Sequence, residues 1–321
     1  MLADIVEHLA CPVCREPVRL DPGSLRCARG HSFDVAKQGY VSLLVGSRPP
    51  GTADSAEMVA ARSRFLEAGH YAPLARALGG SVLSHTESFS HSPDGEAAKA
   101  YGSAEMGSGP APQALADRPV MVDAGAGTGY YLSTVLTAAG RGVGMAFDVS
   151  KHAVRRAARA HPRAGAFVAD VWRTLPIRDG AADVVINVFA PRNGPEFRRI
   201  LRPGGAVVVV TPTGDHLSPL VEELGLLSVD ADKERRVARS LEGFTETRRQ
   251  EVAFEMELGP ADVLEVVGMG PSAWHTGTAE LEERISSYFS PGVTKKRGKV
   301  VVKAAFSLST FEVTPCARPA P

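Results

Sequence analysis

The chain has 321 residues, which is long enough for two or three domains. Lys plus Arg and Asp plus Glu each number 36, so the net charge is zero and a nucleic-acid contact has to come from a local patch. Apolar residues make up 44% of the chain but never form a run of about 18, which excludes a membrane-spanning helix.

The first fourteen residues, MLADIVEHLACPVC, lack the basic start and apolar core of a signal peptide. Of the four cysteines, three fall early: Cys11 and Cys14, then Cys27, with His31 close behind. This C-x2-C-x12-C-x3-H spacing suits one tetrahedral zinc ion, with Gly23 and Gly30 in the turns. Four protein ligands fill the coordination sphere, so the expected zinc is structural. Cys316 is left over as an incidental thiol. Cysteines read as metal ligands instead of disulfide partners predict a reducing, cytoplasmic setting without a membrane partner.

Residues 1–40 therefore form an expected zinc module. Residues 41–80 follow as a helical connector, with apolar residues at three- and four-residue steps and an end at Gly79-Gly80. Residues 81–118 are rich in Ser, Gly, Pro and Ala, and read as a flexible linker or insertion in which His85 and His91 are solvated. Residues 119–315 form the expected catalytic domain, in which strands and helices alternate.

Its strands are expected at Val120–Val122, Val143–Phe147, Ala166–Ala169, Asp183–Phe189 and Ala206–Val210, with helices at Lys151–Ala160 and Phe197–Leu201. The fold class is α/β, a doubly wound parallel sheet. Val252–Leu258 and Val300–Ser309 add an antiparallel edge.

The first of these strands runs into Asp123-Ala-Gly125-Ala-Gly127-Thr128-Gly129. A dinucleotide fingerprint needs a glycine at 130, where Tyr130 stands, and no phosphate-loop pattern is present. The D-x-G-x-G-x-G form resembles motif I of class I S-adenosylmethionine-dependent methyltransferases. Two strand ends add acids: Asp148, placed to bond ribose hydroxyls, and Asp170, whose side chain and the following Val171 amide are placed to meet adenine. The fourth strand ends in Asn187-Val-Phe189-Ala-Pro-Arg192-Asn193. Asn187 and Asn193 carry amides that both donate and accept, and Arg192 is a cation for a developing oxyanion. These three are the candidate catalytic residues, and Asn187 is also a candidate cofactor contact. Phe189 reads equally as a face for a stacked base or as core.

Taken with H31-S-F-D-V-A-K-Q-G-Y-V-S-L-L, A56-E-M-V-A-A-R, E67-A-G-H-Y-A-P-L, T211-P-T-G-D-H-L and M269-G-P-S-A-W-H, the zinc spacing and glycine loop resemble the 23S rRNA guanine-N1 methyltransferases of the RlmA type. The likeness is strongest to the macrolide-resistance branch of actinobacteria. It covers nearly the whole chain except 81–118 and the stretch around 290–299.

The resemblance implies a zinc-ribbon-like module on a class I methyltransferase, Cys11, Cys14, Cys27 and His31 as zinc ligands, and Tyr71, Gly127, Thr128 and His216 as cofactor contacts. From the residues alone, Tyr71 reads as a core aromatic and His216 as a surface histidine. It also implies a 23S rRNA hairpin loop as substrate, a homodimer, and macrolide resistance as the outcome. Three basic clusters fit an RNA partner: Lys151, Arg155, Arg156, Arg159 and Arg163; Arg15, Arg19, Arg26 and Arg29; and Lys295, Lys296, Arg297 and Lys299. Two other readings stay open, a small-molecule or protein methyltransferase and a non-catalytic RNA-binding protein on the same fold.

Overall fold

The apolar runs become the centre of one eight-stranded sheet in a computed structural model that describes residues 1–46, 53–90, 118–227, 233–270, 278–290 and 298–314. Ahead of it lies a small antiparallel sheet of β1 (Val18–Asp21), β2 (Ser24–Cys27) and β3 (Ser32–Asp34), which follows helix α1 (Leu2–Ile5).

The large sheet takes β4 (Tyr40–Ser42), β5 (Val120–Ala124), β6 (Val143–Asp148), β7 (Ala164–Val168), β8 (Ala182–Val188), β9 (Leu201–Pro212), β10 (Phe244–Leu258) and β11 (Val300–Val313). Their order is β10-β11-β9-β8-β5-β6-β7-β4. From β9 to β4 every pair is parallel, while β11 pairs antiparallel with both β9 and β10. The expected α/β class with an antiparallel edge is thus the observed one.

Both faces of the parallel part are covered, which explains the unbroken apolar strands. Met121, Val184, Ile186, Val208 and Val210 pack into one core. Val120, Val122, Val185, Val207 and Val209, their alternate neighbours, pack into the other. Strand β5 lies between β8 and β6, so the chain reverses its progression there and opens a crevice at the strands' carboxyl ends.

The connector forms two helices, α2 (Ala56–Glu67) and α3 (Ala72–Ser90). Ser55 caps α2 by accepting from the Met58 amide at 3.2 Å, and Gly69, at φ +84°, lies in the break between them. The expected stop at Gly79-Gly80 does not occur. Leu74, Leu78 and Val82 are fully buried at four-residue steps, and this packing carries the helix through both glycines. Helix α3 thus claims the first residues of the expected linker. His85, expected in solvent, is half-buried with its ring 3.9 Å from the Glu312 carboxylate. His91 and residues 91–117 lie outside the described residues.

The remaining helices are α4 (Tyr130–Ala139), α5 (Lys151–Ala157), α6 (Gly194–Ile200), α7 (Leu220–Glu223), α8 (Lys233–Ser240), α9 (Pro260–Gly268) and α10 (Thr278–Tyr288). Ser150 caps α5 and Asn193 caps α6, each through a side-chain oxygen that accepts from the amide three residues on.

The zinc module is not a separate body. Strand β4 extends the large sheet by pairing Tyr40–Ser42 with Ala166–Val168, and Leu9 bridges Ile177. The expected boundary at residue 40 therefore falls inside a strand pair. No helix among the described residues is long and apolar enough to cross a membrane.

Candidate functional site

Two places carry chemistry. The first is the cluster of Cys11, Cys14, Cys27 and His31, whose ligand atoms all lie within 4.8 Å of one another. Cys14 Sγ lies 3.7 Å from Cys27 Sγ, and His31 Nδ1 lies 3.6 Å from Cys11 Sγ and 3.3 Å from Cys27 Sγ. A zinc ion with Zn–S bonds of about 2.3 Å sets tetrahedral sulfur edges of about 3.8 Å, so the donor set fits that ion. No fifth group of the described residues joins the cluster, in keeping with a closed structural site.

The knuckle also anchors the module. Arg15 takes φ +66°, and its guanidinium donates to the carbonyls of Leu175 at 2.7 Å and Ile177 at 3.2 Å. Arg199, from α6, holds the same two carbonyls, and Glu196 accepts from the Leu175 amide at 2.7 Å.

The second place is the crevice at the carboxyl ends of β5, β6 and β8. Gly125, Gly127 and Gly129 take φ of +77°, +53° and +78°, a region costly for other residues. A Cβ on Gly125 would lie 2.4 Å from the Ala190 Cβ, so the loop after β8 sits directly on the glycine loop. The Gly127 amide donates to one oxygen of Asp148 at 2.9 Å, and the Ser150 amide to the other at 2.8 Å. Burial raises the Asp148 carboxyl, and these two amides oppose the rise.

Asp123 is wholly buried, and burial together with the Asp148 charge pushes it up to about 7. Its Oδ2 and the Tyr131 hydroxyl are buried without a hydrogen-bond partner among the described residues. A cradle of glycines with a free carboxylate oxygen beneath it, the Asp123 carboxyl being otherwise held by the Leu132 amide, fits a ligand that brings its own donors. S-adenosylmethionine, with amino and hydroxyl groups, is such a ligand.

Helix α2 covers the loop. Arg62 reaches Gly127, pairs with Asp54 and donates to the Met269 carbonyl at 2.9 Å. Ser150 Oγ donates to the Asp54 carbonyl at 2.7 Å. Arg62 ends the A56-E-M-V-A-A-R stretch but is assigned no role from it, and Asp54 lies outside every motif, so neither is legible in the sequence as a loop contact. Thr128 lies half-buried in the loop.

Tyr71, in the turn just before α3, is fully buried, and its hydroxyl lies 3.1 Å from His216 Nε2. The Ala305 amide donates to His216 Nδ1 at 3.3 Å. A neutral ring therefore carries its proton on Nε2 and donates to Tyr71. The Tyr71 proton is then directed to a third acceptor, and burial raises its hydroxyl so far that it stays a donor.

Asp170, at the end of β7, accepts from the Trp172 amide at 3.0 Å and faces Arg173 at 3.5 Å. Asn193 donates to the Val171 carbonyl at 2.8 Å, so the loops after β7 and β8 are tied together. Trp172, which sequence reasoning passed over, is 65% exposed at this edge.

The polar residues after β8 face inward. The Asn187 side-chain amide donates to the carbonyls of Ala124 at 3.1 Å and Pro191 at 2.9 Å. Arg192 donates to Ser240 at 3.1 Å, to the Ala190 carbonyl at 3.2 Å and to Asn187 Oδ1 at 3.4 Å. Asn193 caps α6. All three candidate catalytic side chains thus frame the loop, because the sharp turn from β8 into α6 leaves buried carbonyls to satisfy. Phe189, read equally as core or as a face for a stacked base, is 44% exposed, and its ring borders Tyr71, Tyr131 and Phe306.

Of the basic clusters, the zinc-module arginines all have acidic partners: Arg15 with Asp179, Arg19 and Arg26 with Asp21, and Arg29 with Glu16. Arg163 is spent on the carbonyls of Leu136 and Gly142. Lys151, Arg155, Arg156 and Arg159 are exposed along and just after α5 and make no ion pair with the described residues. Lys295, Lys296 and Arg297 lie outside the described residues.

Comparison with known proteins bears on both places. Residues 9–46 match the RlmA N-terminal zinc ribbon, and residues 121–205 match a methyltransferase domain. A 23S rRNA (guanine(748)-N(1))-methyltransferase of Streptomyces fradiae is 47% identical over 295 residues, covering 91% of this chain and 94% of that protein. A protein of Micromonospora griseorubida assigned as a 23S rRNA (guanine-N(1)-)-methyltransferase is 48% identical over 316 residues, covering 97% of this chain and 99% of its own length. A Bacillus subtilis protein with the same assignment is 32% identical over 65% of this chain.

Proposed function

The chain belongs to the 23S rRNA guanine-N1 methyltransferases with an RlmA-type zinc ribbon, and from that premise we propose how its residues divide the work on a guanine in an rRNA hairpin loop. The enzyme is S-adenosylmethionine-dependent and carries a structural zinc. The observation that carries the reading is the packing of Ala190 on Gly125, which sets an acceptor loop against a cofactor loop with no room for a side chain between them.

S-adenosylmethionine supplies an electrophilic methyl on a sulfonium, and the protein's task is mainly alignment. Gly125, Gly127, Thr128 and Gly129 shape the floor beneath its methionyl part. Asp123 and the directed Tyr71 proton face its amino and carboxylate groups, and His216 holds Tyr71 in the donating state. Asp148 takes the ribose hydroxyls, and Asp170 with the Val171 amide takes the adenine edge.

Guanine N1 carries a proton at neutral pH, so as the N1–methyl bond forms and the sulfonium–methyl bond breaks to leave a neutral thioether, the base must pass that proton to water. Asn187, Arg192 and Asn193 support this step by fixing the loop that presents the base, and Arg192 adds positive charge beside it. Lys151, Arg155, Arg156 and Arg159 track phosphates. N1 lies on the pairing edge, so the target must be unpaired, as in a loop, or flipped out.

The physiological reading is macrolide resistance. A methyl on N1 adds bulk to a guanine in the exit tunnel and weakens drug binding while translation continues. The enzyme works in the cytoplasm, where its substrate is, as a homodimer.

Reverse transcription across 23S rRNA from cells with and without the protein tests the reaction. A new stop one nucleotide before a single guanine is expected. An unchanged pattern, with cofactor binding intact, moves the assignment to another acceptor.

A further inference from the structure

Phe189 is the one aromatic residue of the described chain held at positive φ, at +55°. Left-handed backbone is unfavourable for any residue with a Cβ, and more so for a bulky one. The conformation is imposed from both sides. The Phe189 amide donates to the Val210 carbonyl at 3.1 Å, Arg192 holds the Ala190 carbonyl, and Asn187 holds the Pro191 carbonyl. Glycine would fit this backbone without strain.

The side chain adds a second cost. Its ring leaves 44% of the residue in solvent, whereas the rings it borders, Phe306 at 5.5 Å, Tyr131 at 6.3 Å and Tyr71 at 6.4 Å, are all buried. One side of Phe189 is thus backed by aromatic rings and the other is open. The open side stands one residue from Ala190, which touches the glycine loop. Strain that a fold over-determines, on an exposed apolar ring beside a cofactor loop, marks a binding surface.

Resting on the functional reading above, we propose that Phe189 is the platform on which the acceptor guanine stacks, and that the polar residues around it are its mounting. A flat purine is the ligand class that such a ring takes, because stacking needs a π-face and no hydrogen-bond partner. This assigns the loop's direct substrate contact to its apolar member, with Asn187 and Arg192 as positioning residues.

The strain makes the test discriminating. Phe189→Gly removes the ring and relieves the backbone together, so thermal stability is expected to hold or rise. Calorimetric affinity for S-adenosylmethionine should stay within about threefold of wild type. Single-turnover methylation of a 23S hairpin transcript at saturating cofactor should fall roughly 30-fold, the scale of one lost base stack, and Phe189→Tyr or Phe189→Trp should restore most of it.

Three results overturn the proposal: an unchanged single-turnover rate in Phe189→Gly, a large loss of Tm with the rate kept, which makes the ring a packing element, or a tenfold loss of cofactor affinity, which makes it a sulfonium contact. An inactive wild-type enzyme on the transcript overturns the functional reading itself, and is distinct from an active enzyme indifferent to the substitution.

Discussion

Tyr71 and His216 are 145 residues apart in sequence, yet their hydroxyl and Nε2 lie 3.1 Å apart beneath the crevice, and Phe306 borders both rings. The Ala305 amide fixes the histidine tautomer, and through it the direction of the tyrosine proton. Tyr71→Phe keeps the ring packing and removes only the donor. Each of Tyr71→Phe and His216→Phe is expected to weaken S-adenosylmethionine binding by roughly tenfold, the worth of about one hydrogen bond. Because the two residues act as a unit, the double variant should lose much less than the sum, as titration calorimetry can read.

Gly125→Ala meets both a left-handed φ and the Ala190 Cβ. It should cost about 2–3 kcal/mol of stability and abolish cofactor binding. Gly30→Ala shares the positive φ but meets no atom within 4 Å, so about 1 kcal/mol of strain is expected there, with cofactor binding kept. Denaturant midpoints for the two variants check the difference.

Asp123 gives the cofactor-free protein a pH signature. Its carboxyl titrates at about 7 in the fold, against an ordinary value near 3.8, because burial and the Asp148 charge disfavour ionisation. The folded state then binds more protons than the unfolded state between those values, so stability is full at acid pH and declines as pH rises through 7. A fall of roughly 3–8 °C in Tm between pH 5 and 7.5 is expected, and Asp123→Asn should flatten it. A rising Tm in the wild-type protein over that range contradicts the assignment.

Arg15 joins the zinc knuckle to the loop at 175–179 through two carbonyls. Arg15→Ala leaves Cys11, Cys14, Cys27 and His31 intact. Zinc content should be unchanged while stability drops by about 1–3 kcal/mol, the scale of charge-assisted hydrogen bonds. Metal removal by a chelator should lower Tm further, because it frees the whole ribbon from the sheet edge. Zinc release measured beside thermal melting separates the two effects.

Local patterns carried most of the fold. Unbroken apolar runs at Val120–Val122 and through Asp183–Phe189 announced buried parallel strands, and three alternate glycines after Asp123 announced the ligand loop, because a positive φ leaves a compositional trace. Spacing alone assembled the zinc ligands. What stayed hidden depends on distant partners. Tyr40–Ser42 is too short to signal a strand and becomes one only against Ala166–Val168. Helix α3 ignores Gly79 and Gly80 because Leu74, Leu78 and Val82 find a core. Asn187, Arg192 and Asn193 have the chemistry of catalysis, but only the surrounding carbonyls reveal that their donors are already engaged. Phe189 breaks a backbone preference, so no propensity could place it.

Strand β4 closes the parallel edge of the sheet, but its partner β7 is encoded more than a hundred residues later. During synthesis at about 5–20 residues per second, the ribbon emerges and can take up its metal several seconds before β7 leaves the ribosome. For that interval β4 lacks its sheet partner and is an edge open to pairing with another chain. The parallel edge of the sheet can therefore close only after residues up to Val168 have been synthesised, long after β4 itself.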